Sequence, residues 1–81
     1  MKVKVKYFAI YKSMMHKFEE VLELPQEAKA IDLFERVMGN HPQKKEFLEN
    51  TRFAVNLEFC SKEQILKEGD EVAFIPPISG G

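Results

Sequence analysis

The pattern of side chains predicts a strand near each end of the chain. Residues 2–9 place Val3, Val5 and Tyr7 on one side and three lysines and Phe8 on the other, and residues 71–75 place Val72 and Phe74 on one face and Ala73 and Ile75 on the other. This period of two is typical of a strand with one buried face. The predicted inward side chains are Val3, Val5 and Tyr7 of the first strand and Val72 and Phe74 of the last.

The middle of the chain carries two further strand patterns. Residues 18–24 predict a second strand, with Phe18, Leu22 and Leu24 on one side, and residues 53–59 predict a third. Residues 10–17 show no clear period, so we assign them to a broad connection between the first two strands and predict no function for them.

Helical spacing appears between the second and third strands. Apolar residues recur at intervals of three and four through residues 28–38, which predicts the main helix, and Gly39 follows as its end. The start of this helix lacks a good capping residue, because Lys29 and Ala30 stand where Ser, Thr or Asp would be preferred. Pro42 suits the first turn of a short second helix through Leu48.

This order of elements favours an α+β fold in which a mixed sheet packs on one main helix. The β-grasp, or ubiquitin-like, fold is the best-known arrangement of this kind, with the two terminal strands parallel and adjacent at the centre. In that fold the outward residues Phe8 and Ile75 would form a shared apolar patch. We expect a single domain over residues 1–75 and an extended tail over residues 76–81.

Composition narrows the possible functions. The chain of 81 residues is long enough for one domain, and 12 basic against 13 acidic residues give a net charge of −1. That balance argues against nucleic-acid binding. No apolar run approaches the length of a membrane helix, no signal peptide is recognisable, and Cys60 is the only cysteine. We therefore expect a cytoplasmic protein.

The tail suggests chemistry at its tip. Pro76 and Pro77 end the strand and keep the chain extended, and six residues reach about 20 Å. Gly80 and Gly81 have no side chains, so they can pass through a narrow channel in another protein. The reactive group would be the terminal carboxylate, which needs activation as an acyl-adenylate made from ATP.

No other residue pattern predicts a catalytic or metal site. Cys60 has no His or Asp at a supporting spacing, and His16 and His41 are isolated from other metal-binding residues. We expect Cys60 to be an ordinary thiol. We also expect the chain to bind no metal ion and no cofactor. Catalysis by the chain alone is therefore not expected.

The last fourteen residues, EGDEVAFIPPISGG, together with Ala54-Val-Asn56 and residues 2–9, resemble the MoaD-type sulfur carriers, the small subunits of molybdopterin synthase. The resemblance extends over the whole chain in length and element order. It departs from the family at Ala30, where a capping Thr or Ser is usual, and at Ile75, where an aromatic is common.

This resemblance implies a function for the tail and for the sheet surface. Gly81 would be adenylated by an E1-like activating enzyme and converted to a thiocarboxylate. The tail, including Gly80, Ser79, Pro77 and Pro76, would enter the large synthase subunit and give sulfur to the pyranopterin precursor of the molybdenum or tungsten cofactor. The residues implied to contact that subunit, in a complex of two small and two large chains, are Phe8, Phe59 and Ile75.

Three alternatives remain open at this point. The same terminal chemistry serves the sulfur carriers of thiamin-thiazole synthesis, whose chains are generally shorter before the third strand. A ubiquitin-like modifier would instead be joined to substrate lysines through Gly81. A plain interaction module with an inert tail is the third.

Overall fold

Five strands and three helices follow one another in the structure, a computed structural model that describes residues 1–77. The strands are β1 (Lys2–Tyr7), β2 (Glu19–Glu23), β3 (Arg52–Val55), β4 (Glu58–Cys60) and β5 (Glu71–Ile75). The helices are α1 (Ile10–Met15), α2 (Ala30–Met38) and α3 (Lys44–Asn50). None of these helices is long and apolar enough to cross a membrane.

The strands form one mixed sheet in the order β2-β1-β5-β3-β4. The terminal strands β1 and β5 run parallel at its centre, and every other neighbouring pair is antiparallel. Val5 lies opposite Val72 and Tyr7 opposite Phe74, so the predicted inward residues of the two strands meet. The predicted α+β, β-grasp fold is confirmed.

The core lies between the inner face of the sheet and the helices, and an aromatic cluster is its centre. The ring centroid of Phe74 lies 5.5 Å from those of Tyr11 and Phe53. It lies 5.6 Å from that of Phe34 on α2 and 6.2 Å from that of Tyr7. Complete burial of a side chain of this size contributes about 1.5–3 kcal/mol, so this cluster is a main source of stability.

Helix α2 begins without a capping side chain, as its sequence predicts, and a distant loop supplies the missing acceptors. The N–H of Ala30 donates to the carbonyl of Gln64 at 2.9 Å, and the N–H of Ile31 donates to that of Lys62 at 2.9 Å. Lys29 N–H donates to the Asp32 carboxylate at 2.8 Å. The loop therefore satisfies N–H groups that a Ser or Thr cap would otherwise serve.

Residues 10–17 differ from the prediction, because they contain helix α1. Its one buried residue, Tyr11, packs on Phe34 and Phe74 in the aromatic cluster. Phe18, predicted to begin the second strand on the same side as Leu22 and Leu24, instead precedes β2 and is 66% exposed. Both Tyr7 and Tyr11 belong to the buried core, and Tyr7 donates its hydroxyl proton to the Glu20 carboxylate on β2.

Residues 53–59 also differ, because the predicted single strand is the β3–β4 hairpin. The turn is Asn56 and Leu57, with φ values of 51° and 73°. Positive φ at both central residues matches the twist of a two-residue hairpin. The Asn56 side chain holds the turn by donating to an Asp70 carboxylate oxygen at 2.9 Å and accepting from Glu71 N–H at 3.0 Å. The chain therefore reverses before Phe59.

Candidate functional site: an apolar groove at the root of the tail

The outer face of the sheet carries an apolar groove of about 210 Å³. Phe8, Phe59 and Ile75, the three residues that the sequence singled out as a contact surface, all line it. Phe8 directly follows β1, Phe59 lies on β4 and Ile75 ends β5, so the three come from distant parts of the chain. Phe8 is 47% exposed and Phe59 60% exposed, so both rings are available to a partner.

The register of the strands explains the groove. Ala54 on β3 lies opposite Ala73 on one side and opposite Phe59 on the other. Two small side chains between larger neighbours leave a depression, with alanines as its floor and Phe59 as one wall. Lys6, opposite Ala73 on β1, borders the other side.

Charged groups lie along the rim of the groove. The Lys6 ammonium is 3.4 Å from a Glu71 carboxylate oxygen, and the Arg52 guanidinium lies over the Phe59 ring, 4.1 Å from its centroid. Exposed contacts of these kinds each contribute at most about 1 kcal/mol. An apolar centre with a charged rim of both signs is typical of a protein–protein interface.

The tail begins beside this groove. Ile75 is the last residue of β5 and lines the groove, and the half-buried Pro76 and exposed Pro77 follow it. The predicted tail residues Ser79, Gly80 and Gly81 lie outside the described residues. The structure therefore locates the root of the tail but not its predicted reactive end.

Cys60 lies opposite Phe53 at the end of the hairpin and is half-buried. Burial raises the pKa of the Cys60 thiol, which disfavours the thiolate that nucleophilic chemistry requires. His41 lies in a turn, and its Nδ1 accepts a hydrogen bond from the Gln43 N–H at 3.0 Å. Within residues 1–77, no three His, Cys, Asp or Glu side chains are grouped so that they could hold a metal ion.

Sequence reasoning missed several parts of the groove. It did not identify the alanine floor, the position of Arg52 over Phe59, or Leu57, which is 93% exposed beside the groove. The available signal was Asn56, a residue type that favours tight turns. Treating Asn56 as a turn would have divided the predicted strand and placed Phe59 opposite Ala54.

Comparison with known proteins identifies related chains along the full length. The sequence model of the ThiS family matches residues 5–81. A molybdopterin synthase sulfur carrier subunit from Chlamydomonas reinhardtii is 37% identical over 83 aligned positions, which cover 100% of both chains.

Two solved structures share the fold. A chain from Pyrococcus furiosus, assigned as subunit 1 of a molybdopterin converting factor, is 36% identical with a TM-score of 0.80, covering 96% of this chain and 99% of that one. Small archaeal modifier protein 1 from Methanosarcina acetivorans is 26% identical with a TM-score of 0.79, covering 99% and 96% of the two chains.

Proposed function

The chain belongs to the ThiS family, and from that premise we propose that it is the sulfur carrier subunit of a molybdopterin synthase. The observation that carries the proposal is the apolar groove at the root of the tail, in a chain whose full-length relatives include such a carrier subunit. The groove supplies a surface for docking. In this proposal the tail supplies the terminal carboxylate of Gly81.

Docking on the large synthase subunit would use Phe8, Phe59 and Ile75. Aromatic side chains buried at the centre of an interface commonly contribute most of its binding free energy. Because the tail leaves the domain directly after Ile75, docking at the groove brings the tail to the partner's surface at the same time. Two small and two large subunits would make up the complete enzyme, in which the small subunit is not catalytic by itself.

Activation would occur on a separate E1-like enzyme that uses ATP as a substrate. A carboxylate oxygen of Gly81 attacks the α-phosphorus of ATP, and pyrophosphate leaves. A sulfur nucleophile at the oxidation level of hydrosulfide then attacks the acyl carbon, AMP leaves with the bonding electron pair, and a thiocarboxylate remains. The adenylate is needed because the oxygen of a free carboxylate is a poor leaving group.

Transfer would take place inside the large subunit. The thiocarboxylate sulfur attacks an electrophilic carbon of the pyranopterin precursor, and an oxygen substituent on that carbon leaves with the bonding electron pair. Water then attacks the acyl carbon of the resulting thioester, so the sulfur stays on the pterin as a thiolate and Gly81 is again a carboxylate. The product, molybdopterin, carries a dithiolene group with two sulfur atoms, so two carriers are used for each pterin. The carrier can then be activated again.

A second candidate function is protein modification through Gly81. It is supported by the likeness to the small archaeal modifier protein. The adenylate would be the same, but a substrate lysine would attack its acyl carbon, AMP would leave, and an isopeptide bond would form. The two functions share the adenylate and differ in the nucleophile that attacks it, so one protein can serve both.

Intact-mass spectrometry of the purified protein tests the proposal. The carrier is incubated with the activating enzyme of the same genome, ATP and a sulfur donor. We expect the mass increase that corresponds to replacement of one oxygen by sulfur, located on Gly81 by fragmentation. Addition of the large subunit and the precursor should then return the carrier to its original mass and yield sulfur-containing pterin.

A matched pair of extended variants provides the control. One added alanine after Gly81 should abolish the mass increase, because the Gly carboxylate becomes an internal amide. The same alanine added at the amino terminus should have no effect. Sulfur transfer by the variant extended after Gly81 would overturn the mechanism.

The final acceptor is identified from the organism's own cells. Protein tagged at its amino terminus is purified with its partners, and we expect recovery of the large synthase subunit. Conjugates between Gly81 and substrate lysines, without that subunit, would establish the modifier function instead. Recovery of a thiazole synthase would move the function to thiamin synthesis.

A further inference from the structure

A second depression, of about 310 Å³, lies at the root of the tail on the side of the helices. Ile10 at the start of α1 and Phe47 on α3 form its apolar walls, and Thr51 also lines it. Pro76 and Pro77 line the same depression, which we call the proline crevice. The tail root therefore has the docking groove on one side of the sheet and the proline crevice on the other.

The walls of the crevice are held to the core through one tyrosine. The Phe47 ring packs on Tyr11 with centroids 5.7 Å apart, and Tyr11 packs on Phe74 with centroids 5.5 Å apart. The Tyr11 hydroxyl also forms a hydrogen bond with the Thr51 hydroxyl. This arrangement ties α1, the end of α3 and the last strand together just before the tail begins.

The prolines depend on side-chain packing for their orientation. Proline has no N–H group, so neither residue can donate a backbone hydrogen bond that would continue the sheet. Pro76 follows the alternation of β5, in which Phe74 faces inward and Ile75 faces outward, and it is half-buried on the helical side. Ile10, the first residue of α1, is 47% exposed, so its side chain is accessible to the prolines.

Resting on the proposed function, we propose that Ile10 and Phe47 are positioning residues for sulfur transfer. They border the crevice together with Pro76 and Pro77, hold the two prolines against the helices and thereby set the direction in which the tail leaves the domain. A tail aimed at the partner's channel before binding loses less conformational entropy on insertion than a freely rotating one. The crevice acts on the tail and does not itself contact the partner.

A double-mutant cycle in the full-length protein tests this role. Affinity for the large synthase subunit is measured for Ile10→Ser, for Pro77→Gly and for the combined variant. Ile10→Ser should weaken binding about 5- to 10-fold, and Pro77→Gly should do the same. The combined variant should bind about as well as Pro77→Gly alone, because Ile10 has nothing left to position.

The chain offers a closely matched control. Ile65 is 48% exposed, the same residue type at almost the same exposure, and it does not line the crevice. Ile65→Ser should leave affinity within about twofold of the unmodified protein, since single exposed apolar residues outside interfaces have little effect. Phe47→Leu should retain most of the affinity that Phe47→Ala loses, because leucine still provides an apolar wall.

Additive losses from Ile10→Ser and Pro77→Gly would overturn the proposal and show that Ile10 contacts the partner directly. No loss from Ile10→Ser would also overturn it. A separate measurement needs no partner: in the free protein, nuclear Overhauser effects should connect the Pro77 ring to the Ile10 methyl groups. Absence of these nuclear Overhauser effects refutes the positioning of Pro77 by Ile10. Failure of the unmodified protein to bind the large subunit refutes the proposed function instead.

Discussion

The two faces of the central strand pair have opposite roles. On the inner face of β1 and β5, Val5, Val72 and Phe74 are completely buried and pack on the helices. On the outer face, the same two strands lead to Phe8 and Ile75, which remain accessible at the groove. The difference shows that one alternating pattern encodes two surfaces: one parity is buried against the helices, and the other stays accessible at the groove where we propose that a partner docks.

The largest expected effect is loss of stability on the inner face. Phe74→Ala removes the ring at the centre of the aromatic cluster and should lower the free energy of unfolding by about 3–5 kcal/mol. Phe59→Ala, on the outer face, should cost less than about 1 kcal/mol, because Phe59 is 60% exposed. Urea denaturation followed by circular dichroism compares the two. Equal losses would remove the distinction between the faces.

A smaller effect, on binding alone, is expected on the outer face. Phe8→Asp should weaken binding to the large synthase subunit by about 2 kcal/mol, or about 30-fold, as for a central interface residue. The unfolding midpoint should not change appreciably. Val21→Asp is the matched control, because Val21 on β2 is 57% exposed opposite Lys4 and lies outside the groove. Calorimetry that found equal losses for both variants would contradict a specific groove.

The two buried tyrosines predict a response of the inner face to alkaline pH. Burial is the main cause that raises the pKa of Tyr7 and of Tyr11 above the ordinary value of 10.0. For Tyr7, the hydrogen bond to Glu20 and the charge of that carboxylate raise the pKa further. The folded chain therefore keeps protons that the unfolded chain releases.

This stabilisation is fully present below pH 10 and is lost as the pH rises toward the folded-state values. Each tyrosine should lower the free energy of unfolding by about 1.4 kcal/mol per pH unit in that range. Urea midpoints at pH 8 and pH 11 measure the loss, and Tyr7→Phe should reduce it by about half. A midpoint that is the same at both pH values would show that neither tyrosine controls alkaline stability.

The smallest expected effect is a gain at the β3–β4 turn. Leu57 has φ of 73° and is 93% exposed, so its side chain adds backbone strain without packing. Leu57→Gly should raise the free energy of unfolding by about 0.5–1 kcal/mol, or a few degrees in the thermal midpoint. Leu57→Ala should give no comparable gain, because alanine keeps the strain. If both variants melted at the same temperature, strain at this turn would be excluded.

Local patterns predicted the parts of the fold that each segment determines by itself. Alternation identified the inward residues of β1 and β5, and spacings of three and four identified α2. The order of these elements then predicted that Phe8 and Ile75 would lie together, and both line the groove. These predictions succeeded because burial of one face imposes a period on the sequence itself.

The rest depended on contacts between distant segments. Phe18 began and Phe59 ended a pattern that resembled a strand, yet only Phe59 lines the groove, because the Asn56–Leu57 turn pairs it with Ala54. The start of α2 likewise relies on carbonyls more than thirty positions away, at Lys62 and Gln64. The hydrophobic periodicity of one segment does not reveal its contacts with segments distant in the chain.

The sequence by itself therefore determined the inner face, the outward position of Phe8 and Ile75, and the composition of the tail. Only the tertiary structure decided which outward residues share a groove and which helices meet Pro76 and Pro77. The physical reason is that hydrophobic patterning records whether a residue is buried, whereas its neighbours are set by strand register and by backbone hydrogen bonds between segments distant in the chain.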